Sequence, residues 1–82
     1  MEINIPKYNS NEGIKSTWEP GFEITVKNEE EVTISANKAG LISLATQLLT
    51  LAQEEVPVGA HFHFDDYNSL EKGSSEMIIE KI

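Results

Sequence analysis

The residues FEITVKNEEEVTISA hold two runs in which apolar and polar positions alternate. Phe22, Ile24 and Val26 share one face; after an acidic break, Val32, Ile34 and Ala36 share one again. Period-two alternation marks a half-buried strand. Placing Asn28, Glu29 and Glu30 in the connecting loop pairs Ile24 with Ile34 and Val26 with Val32. On the other face it pairs Thr25 with Thr33 and Lys27 with Glu31. Apolar then meets apolar and opposite charges meet, whereas a loop one residue shorter sets apolar against polar, so this register is expected.

The period then changes. In NKAGLISLATQLLTLAQEEVP, the set Leu41, Leu44, Ala45, Leu48, Leu51 and Ala52 recurs at helical spacing, widened by Ile42 and Leu49. The apolar arc covers roughly half the cylinder, which suits a helix lying across a sheet rather than a coiled-coil seam. Asn37 is a natural N-cap, since its short polar side chain accepts from the first free amides. Val56 precedes Pro57 and is held out of helical geometry, so the helix is expected to end near Glu55.

After the helix, AHFHF alternates again, with Ala60, Phe62 and Phe64 on one side and His61 and His63 on the other. DDYNSLEKGSS is rich in turn formers and leads to a last strand, EMIIEKI, whose phase is hidden because Met77, Ile78 and Ile79 run together. Near the N-terminus, EINI and GIKSTW read as weaker strands around the turn NSNEG. The whole, residues 1–82, is expected to form a single α+β domain in the order β-β-β-α-β-β. It predicts an antiparallel sheet of about four to six strands with one long helix packed on one face.

Composition narrows the function. A chain of 82 residues supports one small core, so surface recognition suits it better than a deep cleft. There is no cysteine, which excludes disulfides and thiolate metal sites. Nothing approaches the roughly 20 apolar residues of a membrane span, and MEINIPKYNS is no secretory signal, so a cytoplasmic location is expected. Fourteen carboxylates face six lysines, giving a net charge of −8 without any arginine. That balance argues against nucleic acid and anionic membranes as partners. It suits a basic protein partner, whose approach it would accelerate, although charge alone also serves solubility.

Several residues invite chemistry. His61 and His63 share a strand face with about 7 Å between them, and Asp65 has the same parity, so the three are the candidate ligands of a metal site. Zinc requires three or four ligands, and the chain has no further histidine; strand alternation alone explains the spacing. Asp66, Asn68 and Glu71 lack the spacing and central glycine of a calcium loop and suit a turn whose side chains cap their own backbone. No serine stands in the turn context of a nucleophile, so no catalytic residues and no cofactor are expected. Trp18, beside EPG, reads as core, or else as an interface anchor. Glu29, Glu30 and Glu31 crowd one loop, and Glu54 and Glu55 stand at the helix C-terminus, where negative charge opposes the dipole. With Asp65 and Asp66 these carboxylates are the candidates for partner binding.

The stretch from Ser35 to Ile82 resembles the bacterial immunity protein 32 family. The resemblance lies in ANK.GL at the strand-to-helix junction, in a leucine-rich helix closing with LAQ and VP.G, and in H.H.D..NSLE.GS.E.IIEK. The last pattern falls on His61, His63, Asp65, Asn68, Ser69, Leu70, Glu71, Gly73, Ser74 and Glu76. What the resemblance implies is a non-enzymatic protein of a polymorphic toxin system that binds and neutralises a cognate toxin domain. A toxin that acts on nucleic acid would itself be basic, in keeping with an acidic inhibitor. Two readings compete with it: a metal-binding module or metal-dependent enzyme built on His61, His63 and Asp65, and a homodimer formed through EMIIEKI, which is apolar on both sides.

Overall fold

The alternating runs form two strands, β1 (Ile24–Asn28) and β2 (Val32–Ala36), in a computed structural model that describes Met1–Ile82. They pair antiparallel, with Ile24 opposite Ala36, Val26 opposite Ile34 and Asn28 opposite Val32. The register differs by two residues from the one charge pairing predicts. Lys27 faces Thr33 rather than Glu31, and the loop is Glu29–Glu31, closed by the Glu29 amide donating to the Glu31 carbonyl at 3.3 Å. The cause lies at the open end of the hairpin. The Asn37 amide donates to the Glu23 carbonyl at 3.1 Å, and Asn37 Oδ1 accepts from the Glu23 amide at 3.0 Å. These bonds fix Glu23 opposite Asn37, and an exposed Lys–Glu pair, worth only a few tenths of a kcal/mol, does not override them. A slip of two residues preserves which side chains face the core.

Helix α1 (Lys38–Leu51) starts at the expected cap: Asn37 Oδ1 accepts from the Gly40 amide at 2.8 Å. Its orientation corrects the sequence expectation. Ser43, Thr46, Gln47 and Thr50 are buried, whereas Leu41, Leu48 and Leu49 are 57%, 50% and 48% exposed. Leu51 is buried, Leu44 packs at the core margin and Ile42 and Ala45 are half-buried, but Leu41, Leu48, Leu49 and Ala52 face solvent. Within the polar stripe the Thr46 and Thr50 hydroxyls donate to the helix's own Ile42 and Thr46 carbonyls, while Ser43 and Gln47 grip the main chain of the N-terminal segment. Gln47 Oε1 accepts from the Thr17 amide at 3.0 Å and its Nε2 donates to the Thr17 carbonyl at 2.8 Å. Gln53 does the same across two residues, accepting from Tyr8 and donating to Pro6, both at 3.0 Å. Ser43 Oγ accepts from the Glu19 amide at 2.8 Å. These side chains satisfy backbone groups that strands would otherwise satisfy. The expected N-terminal strands are therefore absent, apart from an isolated Asn9–Gly13 bridge.

The helix also ends earlier than Glu55. Ala52 is the C-cap, and a separate turn follows in which the Val56 amide donates to Gln53. The half-buried Lys81 closes this end: its Nζ donates to the carbonyls of Gln53 at 2.6 Å and Val56 at 2.8 Å. That ammonium offsets the unfavourable placement of Glu54 and Glu55 beside the negative helix end.

Strands β3 (His61–Phe64) and β4 (Met77–Glu80) form the second hairpin, with Phe62 opposite Ile79 and Phe64 opposite Met77. β4 turns Met77 and Ile79 inward and leaves Ile78 62% exposed, which resolves its phase. The architecture is α+β, in the order β-β-α-β-β, with two two-stranded sheets in place of one sheet of four to six strands. Three hydrogen bonds stitch them together along β1's second edge. Glu71 donates to the Ile24 carbonyl at 2.7 Å, Ser75 donates to the Val26 carbonyl at 2.8 Å, and Ser74 Oγ accepts from the Val26 amide at 3.1 Å. A turn at residues 71–74, with Gly73 at φ 86°, prevents a regular ladder there, and this is why the sheet divides.

Ile24, Val26, Leu51, Val56, Phe62, Phe64 and Leu70 form the core. Trp18 packs against its margin, stacked on Phe22 at 4.6 Å between ring centroids and edge-on to Phe64 at 5.5 Å. The tryptophan thus pins the N-terminal segment to the domain.

Candidate functional site

β3 buries Phe62 and Phe64 and sends His61 and His63 to solvent, as alternation requires. The chain then turns on Asp65. Its carbonyl accepts from the amides of Asn68, Ser69 and Leu70, and its Oδ1 accepts from Tyr67 at 2.9 Å. Asn68 Oδ1 accepts in turn from the Asp65 amide at 3.1 Å, and Asp66 Oδ2 accepts from the Gly73 amide at 3.1 Å. DDYNSLEKGSS is thus the expected turn-rich connection, self-capped by its own aspartates and asparagine.

The candidate metal ligands are regrouped by this turn. His63 and Asp65 gather with Glu76, with donor atoms of the three within 4.8 Å of one another. His61 stands outside this group, its Nδ1 3.1 Å from the Gly59 carbonyl. The register of β3 and β4 brings Glu76 to His63, at 3.8 Å between Nε2 and Oε2, and the hidden phase of EMIIEKI concealed this pairing in the sequence. One imidazole and two carboxylates could hold a divalent cation, but they fall one ligand short of a closed tetrahedral shell.

The carboxylates proposed for partner binding sit on three segments of the chain. Glu29, Glu30 and Glu31 are exposed at the closed end of the β1–β2 hairpin. Glu54 and Glu55 are exposed beside Lys81, at the end of the second hairpin where His61 faces Glu80. Asp65 and Asp66 are half-buried at that hairpin's other end and are engaged in the turn. The largest surface depression, about 650 Å³, is lined by Lys7, Tyr8, Asn9, Ser10, Glu12 and Glu55; both histidines lie outside it.

The family profile described as Immunity protein 32 matches residues 31–82, more than half of the chain. The chain belongs to the immunity protein 32 family. No curated protein and no solved structure matches it. Within this immunity protein 32 chain, the H.H.D..NSLE.GS.E pattern divides by position. Asp65 and Asn68 cap the turn, Leu70 is core, Gly73 takes the left-handed conformation, and Ser74 stitches β1. His61, His63, Glu71 and Glu76 remain exposed. The match takes in β2, α1 and the second hairpin, whereas the segment gripped by Gln47 and Gln53 lies before it. Ser43, Thr46, Gln47 and Thr50 were legible as a second stripe at helical spacing, which the leucines overshadowed.

Proposed function

We propose that this immunity protein 32 chain neutralises a cognate bacterial toxin domain by binding it and occluding its active surface, without catalysis of its own. Family membership carries the reading, and an acidic balance of −8 supports it. A toxin that acts on a polyanion carries a basic site, and an acidic protein competes for that site by charge as well as shape. The exposed Glu29, Glu30, Glu31, Glu54 and Glu55 steer the encounter, whereas Asp65 and Asp66 contribute through the shape of the turn they hold. Neutralisation inside the producing cell places the protein in the cytoplasm, and no helix is long and apolar enough to cross a membrane.

The test is stopped-flow association with the toxin domain encoded beside this gene, across a series of salt concentrations. The expected on-rate falls steeply as salt rises; a flat profile would remove the electrostatic part, and no binding at all would remove the reading.

A second reading has one observation behind it, the convergence of His63, Asp65 and Glu76. Elemental analysis of protein purified without chelators tests it. A stoichiometric divalent metal, lost in His63→Ala, is the result that reading requires.

A further inference from the structure

β2 is the one strand whose side chains are exposed on both faces as far as Ser35, and one of its edges is open. The Asn37-to-Glu23 and Glu29-to-Glu31 bonds set the hydrogen-bonded pairs of the first hairpin at Thr25–Ser35 and Lys27–Thr33. The main-chain groups of Val32, Ile34 and Ala36 therefore point away from β1. The Ile24 carbonyl and the Val26 amide and carbonyl, on β1's far side, are taken by Glu71, Ser74 and Ser75. Nothing of the kind covers β2. Its five residues, VTISA, include no charge and no proline, the usual devices that protect an edge.

The adjoining face is apolar. Val32 and Ile34 lie on the sheet face that buries Val26, yet they are 66% and 45% exposed. The helix meets this hairpin at its open end, where Gly40 lies against Glu23, Ile24 and Ala36, and it leaves Val32 and Ile34 exposed. Leu41 and Leu48 stand three residues before and four after Leu44, which packs on the core, so they continue its stripe out to solvent. The Glu29–Glu31 loop closes one end of this surface with three exposed carboxylates.

We propose that the β2 edge, with Val32, Ile34, Leu41 and Leu48, is the docking face for the toxin domain, which adds an extended segment to β2 and brings cationic residues to Glu29–Glu31. The inference rests on the antidote reading above and names its surface. Strand addition gives main-chain hydrogen bonds to the open edge, and the apolar side chains supply the desolvated centre. Charge selects the occupant: a second copy would bring another −8 and repeat the acidic loop, whereas a basic partner neutralises it.

The test uses the full chain and the catalytically inactivated toxin domain encoded beside its gene. Wild type is expected to bind. Ile34→Thr and Leu48→Gln are each expected to weaken binding about tenfold or more, as central contacts do. Ile78→Thr, at a still more exposed apolar side chain on the other hairpin, leaves affinity unchanged. Hydrogen exchange supplies the structural readout, with the amides of Val32, Ile34 and Ala36 becoming protected in the complex. If wild type fails to bind, the antidote reading and the surface fall together. Wild-type binding with unaltered affinity in both variants and unprotected β2 amides overturns the surface alone. A sedimenting dimer of the free chain, abolished by Ile34→Thr, would give the face to a second copy and likewise overturn the proposal.

Discussion

Replacing Gly40 by alanine sets two effects of opposite sign against each other. Within a helix, alanine is favoured over glycine by about 1 kcal/mol, so propensity alone predicts stabilisation. The new methyl, however, would lie 2.4 Å from the Glu23 carbonyl oxygen, 3.0 Å from Ile24 Cγ1 and 3.1 Å from the Ala36 methyl. The first of these is main chain, and Glu23 cannot retreat freely because Asn37 holds both its amide and its carbonyl. Restoring an ordinary contact requires the helix N-terminus to move about 1 Å away from the first hairpin, and overpacking of this kind costs roughly 1–3 kcal/mol or somewhat more. Weakening of the Asn37 cap adds about 1 kcal/mol. The net expectation is destabilisation by about 1–3 kcal/mol, a fall in melting temperature of roughly 5–20 °C for a domain of this size. Thermal and urea unfolding followed by circular dichroism measure it. A rise in melting temperature would show that propensity wins and that the helix does not sit against Glu23 as closely as described.

Other outcomes follow from the same contacts. Gln47→Leu keeps the volume but leaves the Thr17 amide and carbonyl without partners; a loss of about 2–4 kcal/mol and faster proteolysis near Trp18 are expected, and an unchanged protease pattern would refute it. Lys81→Met removes both bonds to the turn that follows the helix and should cost about 1–3 kcal/mol in urea unfolding, with Lys81→Arg recovering part of it. Gly73→Ala, at φ 86°, should cost about 1 kcal/mol and speed amide exchange at Ser75, which the Gly73 turn delivers to Val26. Charge reversal at Glu29, Glu30 and Glu31 together should slow toxin association at low salt while leaving the melting temperature within about 3 °C, since these side chains are exposed.

Legibility in the sequence tracked how local each determinant was. Period-two alternation placed β1, β2 and β3, and Asn37 announced the helix start, because each of these rests on neighbours in the chain. The register of the first hairpin was misjudged because charge pairing at the loop was weighed above hydrogen bonding at the open end. The helix orientation was lost for a related reason. Hydrophobicity identifies the stripe that dislikes water, whereas here Gln47 and Gln53 face inward to pair with a main chain 30 and 45 residues away in sequence. The His63–Glu76 pairing depended on the phase of a strand with three consecutive apolar residues, where alternation carries no information. The carboxylates of Glu29–Glu31 and Glu54–Glu55 were legible as exposed charge.

The grip of α1 on the N-terminal segment has a consequence for tolerance to change. In the N-terminal segment, Ser43, Gln47 and Gln53 bond to main-chain amides and carbonyls of Pro6, Tyr8, Thr17 and Glu19, groups that nearly every amino acid supplies alike. The route of the segment is therefore written in the helix, and its own sequence is free to drift wherever its side chains face water, as at Lys7, Asn11 and Lys15. A library randomised at those three positions should fold about as often as the parent, whereas one randomised at Ser43, Gln47 and Gln53 should seldom fold.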